Sequence, residues 1–351
     1  MIGKLQCYRR EPVISGGFEY RVRPVAAILL IAPLIWMTAT RANIGDTGNY
    51  YSLFKEMPSR ISDIPAFLGN RVGKDYGFYL LSCLLKVLFG GSRMAYFLPI
   101  ALMQGLAIMY FFRKYTRDYA LAIFLFIASA DYISWMYNGI RQFMAVILLL
   151  LATDLMIKKK YMALLAVILL ASTMHQSVLL MIPLVLIAQG RAWNTKTVLF
   201  LTGAIVAMLF VDRFTDILDY MMQDTQYANV VSDWIEWKDD GTNPLRVLVY
   251  SVPTILSLVG LRYIREANDP LINLCTNMSI FTTGMYLVSM VTSGIFLGRL
   301  PIYSSLYSYV LLLWECRYMF TEASAGIVRL VMVGSYLVFY VYQMHVTYAF
   351  F

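Results

Sequence analysis

Apolar runs of roughly 15 to 23 residues follow one another along most of the chain, separated by short polar connections. The runs do not alternate as strands would, so each predicts a helix, and their succession predicts a bundle buried in a bilayer. The predicted spans are 25–40, 94–112, 119–136, 141–157, 161–174, 177–189, 197–212, 245–261, 271–293, 300–314 and 327–345. The expected fold class is therefore all-α, a polytopic integral membrane helical bundle of about 11 spans. The run 76–91, YGFYLLSCLLKVLFGG, is short and carries Lys86. It reads as an interfacial or re-entrant segment, because a full crossing there would invert every later loop.

Runs 161–174 and 177–189 are also short. Fourteen residues at about 1.5 Å each cover about 21 Å, less than a hydrocarbon core of roughly 30 Å. His175, at their junction, is then expected below the outer surface, at the floor of an aqueous cavity. Lys158, Lys159 and Lys160 form a turn between two runs, and short cytoplasmic loops collect such charges. Arg141 lies 18 residues before Lys159 and His175 lies 16 after it. Two antiparallel helices leaving one turn carry both residues to nearly the same height. A fixed cation beside a titratable imidazole near one membrane face points to function.

The connections assigned to the cytoplasm hold 16 of the 29 Lys and Arg residues, which puts the N-terminus inside and the C-terminus outside. Composition agrees with a membrane protein: 351 residues, 60% of them hydrophobic and 14% charged, with mean hydropathy +0.63. The net charge of +8 is topological; its basic residues form no stripe, so nucleic acid is not an expected partner. The expected organisation is a basic cytoplasmic tail, 1–24, and a single integral membrane domain, 25–351, with outer segments 41–93 and 213–246. No cleavable signal is expected. The four cysteines form no CxxC pair, and neither a disulfide framework nor a metal site is indicated.

The outer segments carry the candidate chemistry. The first offers Arg41, Asp46, Tyr50, Arg71 and Asp75; the second offers acidic residues with Tyr220, Tyr227, Trp234 and Trp237, closed by Arg246. Arg299 precedes Pro301 at a span entrance. Arginine suits a phosphate or diphosphate, since guanidinium stays charged and binds two oxygens at once. Aromatic rings suit sugar faces, and a carboxylate or imidazole can take a proton from a sugar hydroxyl. Each residue also has a plainer reading: Arg141 as a structural ion-pair partner or snorkelling anchor near a helix end, His175 as a structural, hydrogen-bonded residue, and Asp46 and Asp75 as turn caps. Asp154, close to the triple lysine, reads as a lysine partner, and Asp131 is recommended only by its position.

Taken in order, ANIGDTGNYYSLF, GIRQFMAVILLLLA, the triple lysine, LASTMHQSVLLMIPL, DDGTNPLRVLVYSVP and FLGRLPIYSSLY resemble the EpsG-like, Wzy-type bacterial exopolysaccharide polymerases, over about residues 40 to 315. The resemblance implies a GT-C-like architecture in the bacterial cytoplasmic membrane. It implies the joining of undecaprenyl-diphosphate-linked oligosaccharide repeat units on the outer face, without a nucleotide sugar, metal or other cofactor. A repeat-unit flippase and a chain-length regulator are the partners it suggests.

With that chemistry, Arg141 and Arg299 are expected to hold the donor diphosphate, with Gln142 beside Arg141, and Arg41, Arg71 and Arg246 to form a second, looser phosphate set. His175 is the first choice for general base, with Asp46 and Asp75 behind it. Two alternatives stay open. A flippase or other transporter of lipid-linked oligosaccharide would place charges along a path to both faces, whereas here they gather on one. A ligase-like or acyl transferase on the same carrier is the other; an acyltransferase would want a carboxylate next to its histidine, and Gln176 stands there.

Overall fold

The computed structural model describes residues 7–12, 18–71, 74–210, 217, 220, 221, 241–292, 294 and 297–349. Most of the outer segment 213–246, with Tyr227, Trp234 and Trp237, lies outside the described residues. The chain packs as two compact units: Met1–Ile182 with Glu322–Phe351, and Pro183–Thr321.

The first unit opens on an element that the polar tail did not announce. Strands β1 (Tyr8–Pro12) and β2 (Phe18–Val22) pair antiparallel, with Tyr8 opposite Val22. The hairpin is tied to the bundle by arginines. The Arg21 guanidinium donates to the carbonyls of Arg113, at 3.3 Å, and Lys114. Arg113 Nε answers with a 2.7 Å bond to the Val22 carbonyl. Basic side chains thus satisfy carbonyls that the end of a helix leaves orphaned.

Helix α1 (Pro24–Thr40) starts with proline at its first turn, where the missing N–H costs nothing. The outer segment that follows is itself structured, with α2 (Thr47–Glu56) and α3 (Ile64–Arg71). Helix α4 (Tyr76–Phe89) is the short apolar run. Its Lys86 is explained by the end of α2: the ammonium reaches the Lys55 carbonyl at 2.7 Å and also the Met57 carbonyl. Gly90, at φ 84°, then turns the chain into α5 (Arg93–Tyr115), which Ser92 caps by accepting from the Ala95 N–H at 3.1 Å. Helix α5 packs tightly on α1 at Gly105, where a Cβ would lie 2.3 Å from Ile35 Cγ1.

The expected continuous span 119–136 is broken. Helix α6 (Tyr119–Ala128) stops at Ser129, Ala130 takes a left-handed φ of 61°, and a π-helical turn, Ile133–Asn138, follows. Buried Ser129 accepts from the Asp131 N–H at 3.3 Å, so the apolar flanks hide a polar break. Helices α7 (Ile140–Leu151) and α8 (Thr153–Ile157) lead to the triple lysine, where Lys159 sits at φ 53°. Asp154 does pair with a lysine, but with Lys114, at 2.6 Å. Helix α9 (Tyr161–Ser172), a 3-10 turn (Gln176–Leu180) and α10 (Met181–Ala188) complete the stretch.

The second unit contains α11 (Thr195–Leu209), α12 (Pro244–Val259), α13 (Leu261–Ala267), α14 (Pro270–Met290) and α15 (Ser305–Tyr318). Helix α14 is its axis, 83% buried over its apolar window. Its polar residues pair inside the bundle, as membrane helices require: Thr254 meets Ser279 at 2.9 Å and Thr283 at 2.8 Å. Helix α16 (Glu322–Tyr342) belongs to the first unit again. Arg329 pairs with Asp118 at 3.4 Å, and Tyr348, just beyond it, meets Ser134 at 2.8 Å.

The spans are less regular than the apolar runs suggest. Among the described residues, Arg93–Tyr115, Pro270–Met290 and Glu322–Thr347 are long and apolar enough to cross a membrane; α12 and α13 reach that length and apolarity only together, and they are bent by 71° at their junction, as a broken span or a re-entrant loop is. Seven shorter apolar helices accompany them. The protein is a multi-pass helical membrane protein.

Candidate functional site

The site is built where three chain segments meet in the first unit. Arg141 stands at the second position of α7, just after the π turn. Its Nη1 lies 2.9 Å from Asp75 Oδ2, and the Asp75 side chain is only 2% exposed while that of Arg141 is 29% exposed. The pair therefore has a buried end and an open end. Asp75 precedes α4 in a left-handed conformation, φ 57°, and does not cap that helix. Its other oxygen accepts from the Gln176 N–H at 3.3 Å. Both oxygens are committed, and the carboxylate sits between the segments of Arg141 and His175. The matched heights expected from the triple lysine are realised through this one side chain. Close approach depends on Gly77, whose N–H reaches the Thr173 carbonyl at 2.9 Å; a Cβ there would lie 2.1 Å from Thr173 Oγ1.

The His175 ring is committed as well. Its Nδ1 accepts from the Ser177 N–H at 3.3 Å and lies 2.8 Å from Ser177 Oγ. A backbone N–H can only donate, so Nδ1 holds the lone pair and the neutral ring carries its proton on Nε2. Gln142, buried beside Arg141, donates to the same Ser177 hydroxyl at 3.4 Å.

The other side of Arg141 is lined by the outer segment. Its guanidinium hydrogen-bonds the Tyr50 phenol, which burial pushes up so that it stays protonated at neutral pH. Tyr50 donates onward to the Asn138 carbonyl at 3.3 Å, and Asn138 Oδ1 accepts from the Asp46 N–H at 3.1 Å. The half-buried Asp46 carboxylate lies near Tyr50, and among the described residues no hydrogen bond or ion pair engages it. Asn138 and Ser177 escaped the sequence reading. The Asn138-Gly139 dipeptide just before α7 is a turn signal that could have exposed the first; Ser177 has no comparable signal.

Asp46, Asp75, Arg141, Gln142 and His175 thus form one connected set. Arg41 is built in differently. It is 4% exposed, lies 4.1 Å over Phe97 and 4.9 Å over Tyr137, and donates to the Met136 carbonyl of the π turn. Burial pushes its guanidinium down to about 10, still charged at neutral pH. It braces the turn that presents Asn138 and Arg141. Arg71 closes α3, and its side chain lies outside the described residues. Arg246 and Arg299 share one end of the second unit. Arg246 lies 5.6 Å over Tyr250, and Gly298, beside exposed Arg299, fits against Thr242 so closely that a Cβ would lie 2.6 Å from its hydroxyl.

Chemically, the set offers a permanent cation oriented by a buried carboxylate, an imidazole N–H and an unengaged carboxylate. Such groups bind a diphosphate and accept a proton. Burial pushes the Asp75 carboxyl above its ordinary value of 3.8, against the pull of Arg141 and the Gln176 N–H.

Gly45 is the tightest point. It sits at φ 55°, and a Cβ there would lie 1.6 Å from Asn138 Oδ1. Gly45→Ala is expected to push Asn138 aside and lower activity by about 10²-fold, as a misplacement of about 1 Å does, while the protein still inserts. Activity per folded molecule tests this; a rate near that of the parent would show that the Asn138 turn does not position the site.

A family model described as the EpsG family matches residues 25–351, and the chain belongs to that family. No curated protein and no solved structure matches it. The family is associated with glycan polymerisation.

Proposed function

Starting from that membership, we propose that the protein joins oligosaccharide repeat units carried on undecaprenyl diphosphate, at the outer face of the bacterial cytoplasmic membrane. The growing glycan is the donor and the incoming unit the acceptor. An acceptor hydroxyl oxygen attacks the donor's anomeric carbon, the bond to diphosphate breaks, and the hydroxyl proton passes to a carboxylate. The basic tail and the triple lysine face the cytoplasm, so that the set around Arg141 faces out.

The observation that carries this reading is Arg141, held between Asp75 and Tyr50 with its side chain still 29% exposed. It binds the leaving diphosphate and stabilises the charge that develops there. The hydrogen bonds redistribute the other roles. His175, with its proton on Nε2, donates to the diphosphate. Asp75, with both oxygens engaged, positions Arg141. Asp46 is the remaining carboxylate and serves as general base. Purified protein in liposomes, supplied with a lipid-linked repeat unit alone, is expected to produce a ladder of polymer. Translocation of the unit without any ladder would replace this reading with a transporter.

Asp75 must be ionised to hold Arg141, and its carboxyl titrates above the ordinary 3.8. The transfer rate is therefore expected to fall on the acid side at a pH higher than 3.8, the Arg141 anchor being lost as pH drops through the raised value. Asp75→Asn should lower the plateau and remove that limb. A limb at the same pH in Asp75→Asn would assign it to another group.

A further inference from the structure

A groove of about 640 Å³ opens at the foot of α1, lined by Arg9, Arg23, Pro24, Val25, Ala26 and Leu29. Two chemistries meet in it. Arg9 and Arg23 are both exposed, and among the described residues neither guanidinium has a hydrogen bond or ion pair. Val25 is 69% exposed and Leu29 68%, and both point away from the packed face of α1, whose buried residues are Ala27, Ile31, Leu34 and Ile35.

The groove is fixed. The Arg23 N–H donates to the Cys7 carbonyl at 2.7 Å and continues the hairpin ladder into the helix. Arg21 and Arg113 clamp the hairpin to α5. Arg9, on β1, is thereby held beside the start of α1. No side chain caps that start, so its backbone N–H groups add to the positive field. The polar hairpin gives way to an apolar helix at Pro24, the change of character expected where a chain enters hydrocarbon. Exposed cations beside an exposed aliphatic wall match an amphiphile with an anionic head and acyl chains.

We propose that this groove binds one anionic phospholipid. Its phosphate lies between Arg9 and Arg23, and an acyl chain runs along Val25, Ala26 and Leu29. None of these residues belongs to the set around Arg141, so the proposal stands apart from the catalytic reading.

The test is native mass spectrometry of the full chain released from bilayers of phosphatidylglycerol and phosphatidylcholine. Wild type is expected to retain one phosphatidylglycerol in preference to phosphatidylcholine. In the double variant Arg9→Gln, Arg23→Gln, retention should weaken by about 30-fold, since each basic residue at an anionic surface contributes about fivefold. The double variant Arg9→Lys, Arg23→Lys should keep most of it, which separates lost charge from a lost hairpin. Leu29→Ser should weaken retention as well, because the chain needs its wall. Equal retention in the glutamine variant would overturn the proposal. So would displacement of the lipid by millimolar inorganic phosphate, which would make the groove a site for soluble anions.

Discussion

Asp46→Asn is expected to slow glycan transfer by about 10²- to 10⁴-fold while leaving lipid-diphosphate binding nearly intact. The range is the usual worth of a positioned general base. Asparagine keeps the shape and the backbone N–H that Asn138 holds at 3.1 Å, and it loses only the proton acceptor. The choice of Asp46 over the other two candidates rests on hydrogen bonds. Asp75 has Arg141 on one oxygen and the Gln176 N–H on the other. His175 presents its lone pair to the Ser177 N–H. Single-turnover rates per folded molecule decide between them. If Asp46→Asn stays within threefold of wild type and His175→Ala is slow, the imidazole is the base, and its ring must turn away from Ser177 during the reaction.

The second large effect belongs to Arg141. Arg141→Lys is expected to lower the transfer rate by about 10²- to 10³-fold, the cost of removing one donor from a developing oxyanion. Lysine keeps the charge and can still reach Asp75. It cannot bond a carboxylate, a phenol and a phosphate from one rigid fork. The loss should therefore appear in the rate more than in folding, and melting temperature with yield should stay near wild type. Polymer of normal length and rate from Arg141→Lys would show that charge alone suffices and would reject the fork. A protein that fails to insert would instead make the Asp75 pair a folding element, as half-buried ion pairs can be when one partner is disturbed.

How far these positions could be read from the sequence depended on periodicity. The apolar runs located most helices to within a few residues, because burial in a bilayer needs length and apolarity and little else. The meeting of Arg141 and His175 followed from counting outward from the triple lysine, and the structure joins them through Asp75. Three features left no periodic trace. The hairpin Tyr8–Val22 is held by arginine-to-carbonyl bonds, which no pattern in a basic tail announces. The break after Ala128 hides inside an apolar run, because Ala130 and Asp131 are buried and paired locally. The direction of the His175 lone pair depends on Ser177 two residues on, a matter of local backbone conformation that composition does not encode.

The order of the two units along the chain has a consequence for biosynthesis. The first unit is interrupted: residues 183–321 form the second, and α16 returns to the first only at Glu322. Every member of the set around Arg141 is translated before residue 183, yet the turn that carries Asn138 leans on a late arrival, through Ser134 and Tyr348 at 2.8 Å. Nascent protein must therefore carry an unfinished first unit through the synthesis of an entire second one. Domains that fold as they emerge cannot complete such a unit early. Completion of the first unit thus waits for the segment that begins at Glu322, whose Tyr348 closes the wall behind Asn138.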